Sequence, residues 1–343
     1  MIRWNNDYNQ TAHPAILEVL TATAQESYNS YGIDEWCDRG AAAIKKYLNK
    51  DADIHFMVGG TQVNYTVISA ALRSYQSVIS ADSGHINVHE TGAVENTGHK
   101  IHALPSENGK ITAAQIARKA EIYRISDIKE HITQPKMVYL SFPTEYGTLY
   151  TKDELCAIRE VCDKYGLFLF IDGARLGYAL GSIECDITLA DLAVLCDVFY
   201  IGGTKCGAMF GEAVVIINPV LKEDFRSYIK QNGAMLAKGW LLGLQFAVLF
   251  EDGLYLNSTK AAVEYALRIK AAFHSVGIPS FIDSSTNQQF VVVTKQQMDK
   301  LAKRHIFEYD HQTDDTHHCI RFCTSWSTRD EDVGVLIGDI ANL

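Results

Sequence analysis

The chain has 343 residues, 47% of them hydrophobic and 21% charged, with a formal net charge of −10. That length buries a sizeable core in one large or two modest domains, and the composition excludes a disordered chain. The acidic balance argues against a nucleic-acid or anionic-membrane partner, no apolar run is long enough for a bilayer, and Met1-Ile-Arg-Trp-Asn-Asn-Asp lacks a signal peptide's apolar core, so a cytoplasmic protein is expected.

Residues 6–12 read as an extended polar entry, after which His13-Pro14 starts a helix carrying Ile16, Leu17, Val19 and Leu20. The loop Tyr28–Asp34 is more aromatic than a connector needs, and a second helix is expected through Ala41–Leu48. His55–Gly60 is a buried strand ending in glycines, followed by Thr61 and a helix through Ile68, Ala71 and Leu72. Strands follow at Ser77–Ala81 and Lys100–Leu104, with the His-rich segment Asp82–Glu90 between them. A helix from Thr112 to Ala120, a strand Lys136–Phe142, a turn Pro143–Thr148 and an amphipathic helix Lys152–Tyr165 come next.

Leu167–Arg175 contains a strand with Asp172 at its carboxyl end, and a crossover leads to the strand Val198–Ile201, Gly202-Gly203 and Lys205. Strands that alternate with helices and are continuously apolar indicate a largely parallel sheet covered on both faces. Ala213–Ile217 follows too closely for a parallel return and should pair antiparallel. Beyond Asn218 the chain reads as helices Trp240–Phe250 and Ala262–Phe273, a strand Phe290–Thr294, a helix Gln297–Arg304, a strand Cys319–Cys323 and a last helix from Asp330. We expect an α/β large domain over residues 1–253 and a smaller α+β domain over 254–343.

The eight cysteines are scattered and read as reduced thiols. His317-His318-Cys319 and Cys323 resemble a metal cluster, but alternate residues of one strand face opposite ways. A strand's core and rim is the favoured reading there, zinc the alternative, and no metal is assigned.

Lys205 has two readings: a solvated turn lysine, or an amine at the rim of a buried sheet where desolvation favours the nucleophilic form. Ligands of an open parallel sheet bind outside the carboxyl ends of its strands. Gly59-Gly60-Thr61, the loop of His85, Asp172 and Lys205 all fall on that edge. Strand, Gly-Gly, hydroxyl residue and helix form an arrangement whose backbone N–H groups hold an anion. A phosphate cradle, a lone lysine and a neighbouring carboxylate suit pyridoxal 5'-phosphate, which needs an amine for covalent attachment and an acid that keeps its ring nitrogen protonated.

Asn6-Asp7-Tyr8, Ala12-His13-Pro14, Tyr31-Gly32-Ile33-Asp34, His89-Glu90, Phe170–Leu176 and Gly202-Gly203-Thr204-Lys205 together resemble the threonine aldolase family of β-eliminating lyases, from about residue 6 to the C-terminus. The resemblance implies the pyridoxal-phosphate fold type I and retro-aldol cleavage of a β-hydroxy-α-amino acid to glycine and an aldehyde, as in low-specificity L-threonine aldolases. It gives Lys205 the covalent bond to the cofactor, Asp172 the ring nitrogen, Arg175 the ring's phenolic oxygen, and Gly60 and Thr61 the phosphate, with Thr204 in the cofactor-binding motif. His85 resembles the histidine that stacks on the ring and approaches the β-hydroxyl. Arg321 resembles the arginine that grips the substrate carboxylate, with Asn6 near the same group. A homodimer or homotetramer is implied. Two differences stand out: where well-known members carry Glu-Asn-Thr-His-Asn, this chain has Pro143-Thr-Glu-Tyr-Gly-Thr-Leu149, and an arginine expected to reach the neighbouring subunit's phosphate appears as Leu236, with Lys238 close by. β-Elimination or transamination on the same cofactor is the second reading, and a non-catalytic binding protein of the same fold the third.

Overall fold

The computed structural model describes residues 1–343. A short strand β1 (Ile2–Arg3) opens the chain, and seven strands build the main sheet: β2 (Asp53–Met57), β3 (Gln76–Ala81), β4 (Lys100–Leu104), β5 (Gln134–Ser141), β6 (Phe168–Asp172), β7 (Val198–Gly202) and β8 (Glu212–Ile216). Their order is β2-β8-β7-β6-β5-β3-β4. Only β8 runs against the rest: it pairs antiparallel with both β7 and β2, as its short connection from β7 requires. The other six strands therefore present their carboxyl ends at one edge, the mostly parallel arrangement expected.

Period-two alternation sorts the side chains of this sheet into two cores. Val138, Leu140, Leu169, Ile171, Phe199 and Ile201 belong to the larger one, whereas Met137, Tyr139, Phe170, Val198 and Tyr200 belong to the smaller. The alternation has a chemical consequence, because it puts Asp172, two residues after Phe170, on the face that carries Tyr139 and Tyr200. The ends of β6 and β7 approach backbone to backbone, with the Gly202 amide donating to the Gly173 carbonyl at 2.9 Å. A Cβ on Gly202 would sit 2.2 Å from the Ala174 carbonyl oxygen, so only glycine fits there.

A four-stranded antiparallel sheet, ordered β12-β13-β10-β9, forms the second unit from β9 (Ser280–Ile282), β10 (Gln288–Thr294), β12 (Glu308–Gln312) and β13 (His317–Cys323). The long helix Leu254–Ser275 leads into it, and Ile269 and Phe273 pack with Val291, Ile320, Phe322 and Leu336 in a third core. Trp4 joins that core, and β1 pairs in parallel with β11 (His305–Ile306), so the extreme N-terminus is fastened to the C-terminal unit.

Helix boundaries differ from expectation where a polar side chain caps the first turn. The second helix spans Glu35–Lys45 because the Asp34 carboxylate accepts from the Cys37 amide at 2.8 Å and caps it. The helix expected at 297–304 is Lys295–Leu301, opened by a reciprocal Thr294–Gln297 capping box. All eight cysteines are free, and no helix is long and apolar enough to cross a membrane.

Candidate active site

Asp172 ends β6 fully buried, and four donors converge on its carboxylate. Tyr200 Oη donates to Oδ1 at 2.5 Å and the Ala174 amide to the same oxygen at 3.0 Å. Asn64 Nδ2 donates to Oδ2 at 3.0 Å, and Tyr139 Oη also donates to Oδ2. Burial alone would push this carboxyl up. The positive field of His85 and the bonds from Tyr139, Tyr200 and Ala174 outweigh it and hold Asp172 below the usual carboxylate range. The group is thus a buried anion, the charge state that an acid facing a protonated ring nitrogen must have.

Asn64 extends the network, because its Nδ2 also lies 2.7 Å from Glu90 Oε1. The same Glu90 oxygen is 2.7 Å from His85 Nδ1. Glu90 thereby orients the imidazole and leaves Nε2 as its free nitrogen. Burial pulls the His85 pKa down, but the Glu90 bond and the negative charges of Glu145 and Asp172 prevail, and it ends above the ordinary imidazole value despite opposition from Lys205.

Lys205 lies three residues past β7, half-buried, in a loop anchored by the Tyr178 hydroxyl, which donates to the Lys205 carbonyl at 2.6 Å. Its ammonium forms no salt bridge of its own, yet its charge acts on Asp7, His85 and Glu212, so it sits among the site's titratable groups. Thr204 faces into this loop: its hydroxyl accepts from the Gly211 amide at 3.0 Å and bonds Glu212. Glu212 is buried at the start of β8 and accepts from the Gly203 amide at 2.9 Å. Desolvation pushes its pKa up to about 8.

Gly60 and Thr61 open the helix Gly60–Ala71, whose N-cap Gly59 supplies no side-chain bond. A Cβ on Gly60 would lie 2.9 Å from the Tyr200 hydroxyl, which links this helix start to the Asp172 network. An uncapped N-terminus of a 12-residue helix beside that network suits a phosphate.

Arg175 is committed to Asp7 through Nε at 2.7 Å and Nη2 at 3.0 Å, and Asn287 Nδ2 donates to the same Asp7 at 2.9 Å. This leaves Nη1 as the guanidinium nitrogen free for a ligand. Arg321, on β13, donates from Nη1 to Gln288 Oε1 at 3.2 Å and from Nη2 to the Asn5 carbonyl at 3.1 Å, while its Nε is buried without a partner. It lines a cleft of about 690 Å³ with Glu145, Tyr146, His89 and Phe290. Asn6 does not line that cleft; its side-chain oxygen accepts from the Tyr8 amide at 3.1 Å, and it borders a separate groove with Arg3 and Arg329. Leu236 lines a small pocket with Tyr31, His55 and Arg226, and Lys238 is exposed.

Lys205, His85, Asp172, Arg175 and the Gly60 helix start therefore meet at the carboxyl edge of the sheet, with Arg321 facing it from the second unit. Sequence reasoning passed over Asn64, Tyr139, Tyr200 and Glu212. Strand alternation was a usable signal for the two tyrosines, but Asn64 and Glu212 carry none without the strand order. An anion held among four donors, a lysine without a carboxylate partner and an uncapped helix fit pyridoxal phosphate.

The chain matches the profile of the β-eliminating lyase family over residues 8–296. It is 32% identical over 314 residues to the low specificity L-threonine aldolase of Pseudomonas sp. (strain NCIMB 10558), covering 91% of this chain and 89% of that one. The structure of Leishmania major threonine aldolase superposes with a TM-score of 0.96 at 40% identity, over 100% of this chain and 99% of the other. A Thermus thermophilus aspartate aminotransferase superposes with a TM-score of 0.72 at 13% identity over 100% of this chain and 91% of its own, a likeness of fold alone.

Proposed function

This chain belongs to the β-eliminating lyase family, and from that premise we propose that it cleaves threonine-like β-hydroxy-α-amino acids to glycine and an aldehyde with pyridoxal 5'-phosphate. The observation that carries the cofactor is the buried Asp172 anion, held by Asn64, Tyr139, Tyr200 and the Ala174 amide on the strand beside the Lys205 loop. The cofactor, when bound, supplies an electron sink for the pair released as the Cα–Cβ bond breaks.

The chain's own residues do the remainder. Asp172 keeps a counter-charge for a protonated ring nitrogen, and Arg175 Nη1 neutralises a phenolate. The N–H groups of Gly60 and Thr61 receive the phosphate. Arg321 grips the substrate carboxylate with a fork that a lysine could not offer. It thereby sets which Cα bond lies across the ring. His85 Nε2 takes the β-hydroxyl proton, with the resulting imidazolium stabilised by Glu90. Thr204 bonds within the lysine loop, so its part is to hold Lys205 in place.

For the assembly we propose a homodimer or a dimer of dimers. Tyr31 and Ile33 are 44% and 64% exposed on the loop whose Tyr31 amide donates to the Ala237 carbonyl, next to Lys238. That apolar patch supports a subunit contact there, with Lys238 directed to the neighbouring subunit's phosphate.

Product analysis with threonine, allo-threonine and phenylserine tests the reaction. Glycine plus the matching aldehyde is expected. Alanine formed from pyruvate would replace this reading with transamination, and ammonia with an α-keto acid would replace it with β-elimination.

A further inference from the structure

The strands of the second unit carry a cluster that plays no part in the reaction above. Asp310 and His311 are adjacent on β12, so regular pleating would send them to opposite faces. The ladder to β13 shifts between Tyr309 and His311: Tyr309 pairs with Ile320, His311 pairs with Cys319, and Asp310 is the extra residue. A bulge of this kind re-aims a side chain, and it brings Asp310, His311 and Cys319 to one point. One ligand atom from each, a carboxylate oxygen, an imidazole nitrogen and the Cys319 sulfur, all lie within 4.8 Å of one another.

Each ligand is held differently. Cys319 is fully buried, directly across the ladder from His311. The Phe281 ring meets the His311 ring edge-on at 4.8 Å and fixes its plane. His311 Nδ1 lies 2.5 Å from Asp310 Oδ2, so carboxylate and imidazole are already hydrogen-bonded to each other. Asp310 is exposed and lines the same cleft as Arg321 and Tyr146, which leaves an approach from solvent.

We propose that Asp310, His311 and Cys319 bind a zinc-class divalent cation at the mouth of the cleft that leads to Arg321. Sulfur, nitrogen and carboxylate oxygen are the donors such a cation takes. Tetrahedral bonds of about 2.0–2.3 Å place ligand atoms roughly 3.3–3.8 Å apart, so the widest separations close by about 1–1.5 Å while the hydrogen-bonded Asp310–His311 pair opens by about 1 Å, within reach of a rotamer change at Asp310. One thiolate and one carboxylate balance the two positive charges. Cys319 gives up its thiol proton to solvent, His311 binds as neutral imidazole, and water fills the fourth position from the cleft.

The test is a titration of tag-free holoenzyme with Co²⁺, read as difference spectra against the same protein without metal. One equivalent per chain is expected to give visible ligand-field bands of a tetrahedral site and a near-ultraviolet thiolate charge-transfer band. Cys319→Ser should abolish the charge-transfer band and His311→Ala should abolish both, while Cys185→Ser, remote from the cluster, keeps them. A weak six-coordinate spectrum in the wild type, or a charge-transfer band that survives in Cys319→Ser, overturns the proposal. Should Cys319→Ser fail to fold, retention of both bands in His311→Ala, a change on a half-exposed edge position, overturns it equally.

Discussion

Glu212→Gln isolates the effect of one buried acid behind the lysine loop. The Glu212 side chain receives the Gly203 amide at 2.9 Å and bonds the Thr204 hydroxyl, two contacts that a glutamine amide reproduces with its oxygen and its NH₂. What glutamine removes is the titration, since burial raises this carboxyl from 4.5 to about 8. At low pH the group is protonated in both folded and unfolded chains and contributes nothing to the pH dependence. As pH climbs past the ordinary glutamate value, the unfolded chain loses the proton and the folded protein keeps it, so stability falls until about pH 8 and then levels. One pH unit within that window costs about 1.4 kcal/mol, so between roughly pH 6 and 8 the wild type should lose about 2–3 kcal/mol that the variant does not. Urea unfolding of both proteins across this range gives the difference directly, with all other titrating groups cancelling. A wild-type-minus-variant difference that stays constant with pH would refute the reasoning and show Glu212 ionised in the fold.

Borohydride reduction followed by peptide mapping should place a pyridoxyl group on Lys205; finding it on Lys238 would overturn the site assignment. Arg321→Ala should keep the cofactor spectrum but weaken amino-acid binding by about 1.5–3 kcal/mol, on the order of tenfold to a hundredfold, and an unchanged apparent affinity removes its carboxylate role. His85→Phe should preserve the spectrum while cleavage falls, and cleavage at the wild-type rate would send the search for a base to Glu145. Because the bonded Glu90 anion helps raise the His85 pKa, Glu90→Gln should move the rising limb of the pH–rate profile to lower pH, where an unmoved limb would exclude His85 as the titrating base.

Much of the site was legible because it depends on strand ends. Asp172 and Lys205 follow continuously apolar strands, and the rule that ligands collect at the carboxyl edge of a parallel sheet needs no knowledge of strand order. What surrounds Asp172 does need it. Tyr139, Tyr200 and Asn64 reach that carboxylate only because β5 and β7 flank β6 and the helix after β2 crosses the same face. Arg175 finds Asp7 across 168 positions, a pairing no local pattern encodes. The metal-like residues show the same limit in reverse. His317 is tied to Asp314 and His318 lies against Tyr309, so the run beside Cys319 does not converge. The imidazole that does face Cys319 comes from the next strand, aimed by a bulge that alternation cannot forecast.

The turn Pro143–Leu149, where the resemblance leads one to expect a histidine, is tied into this geometry. Ser141, at the end of β5, donates to Glu145 Oε1 at 3.1 Å, and Gln288 Nε2 donates to the Glu145 carbonyl at 3.3 Å. The same Gln288 accepts from Arg321 at 3.2 Å. The turn is therefore fixed through one shared amide to Arg321, the arginine proposed to grip the substrate carboxylate. Its carboxylate meanwhile adds to the field that raises the His85 pKa and reaches Arg175. A histidine in that turn would supply a second imidazole; an acid there strengthens the first one as a base instead. Under the proposed roles of His85 and Arg321, the proton acceptor and the carboxylate grip are thus coupled through Glu145 and Gln288, so that a turn without a histidine is compatible with the proposed cleavage.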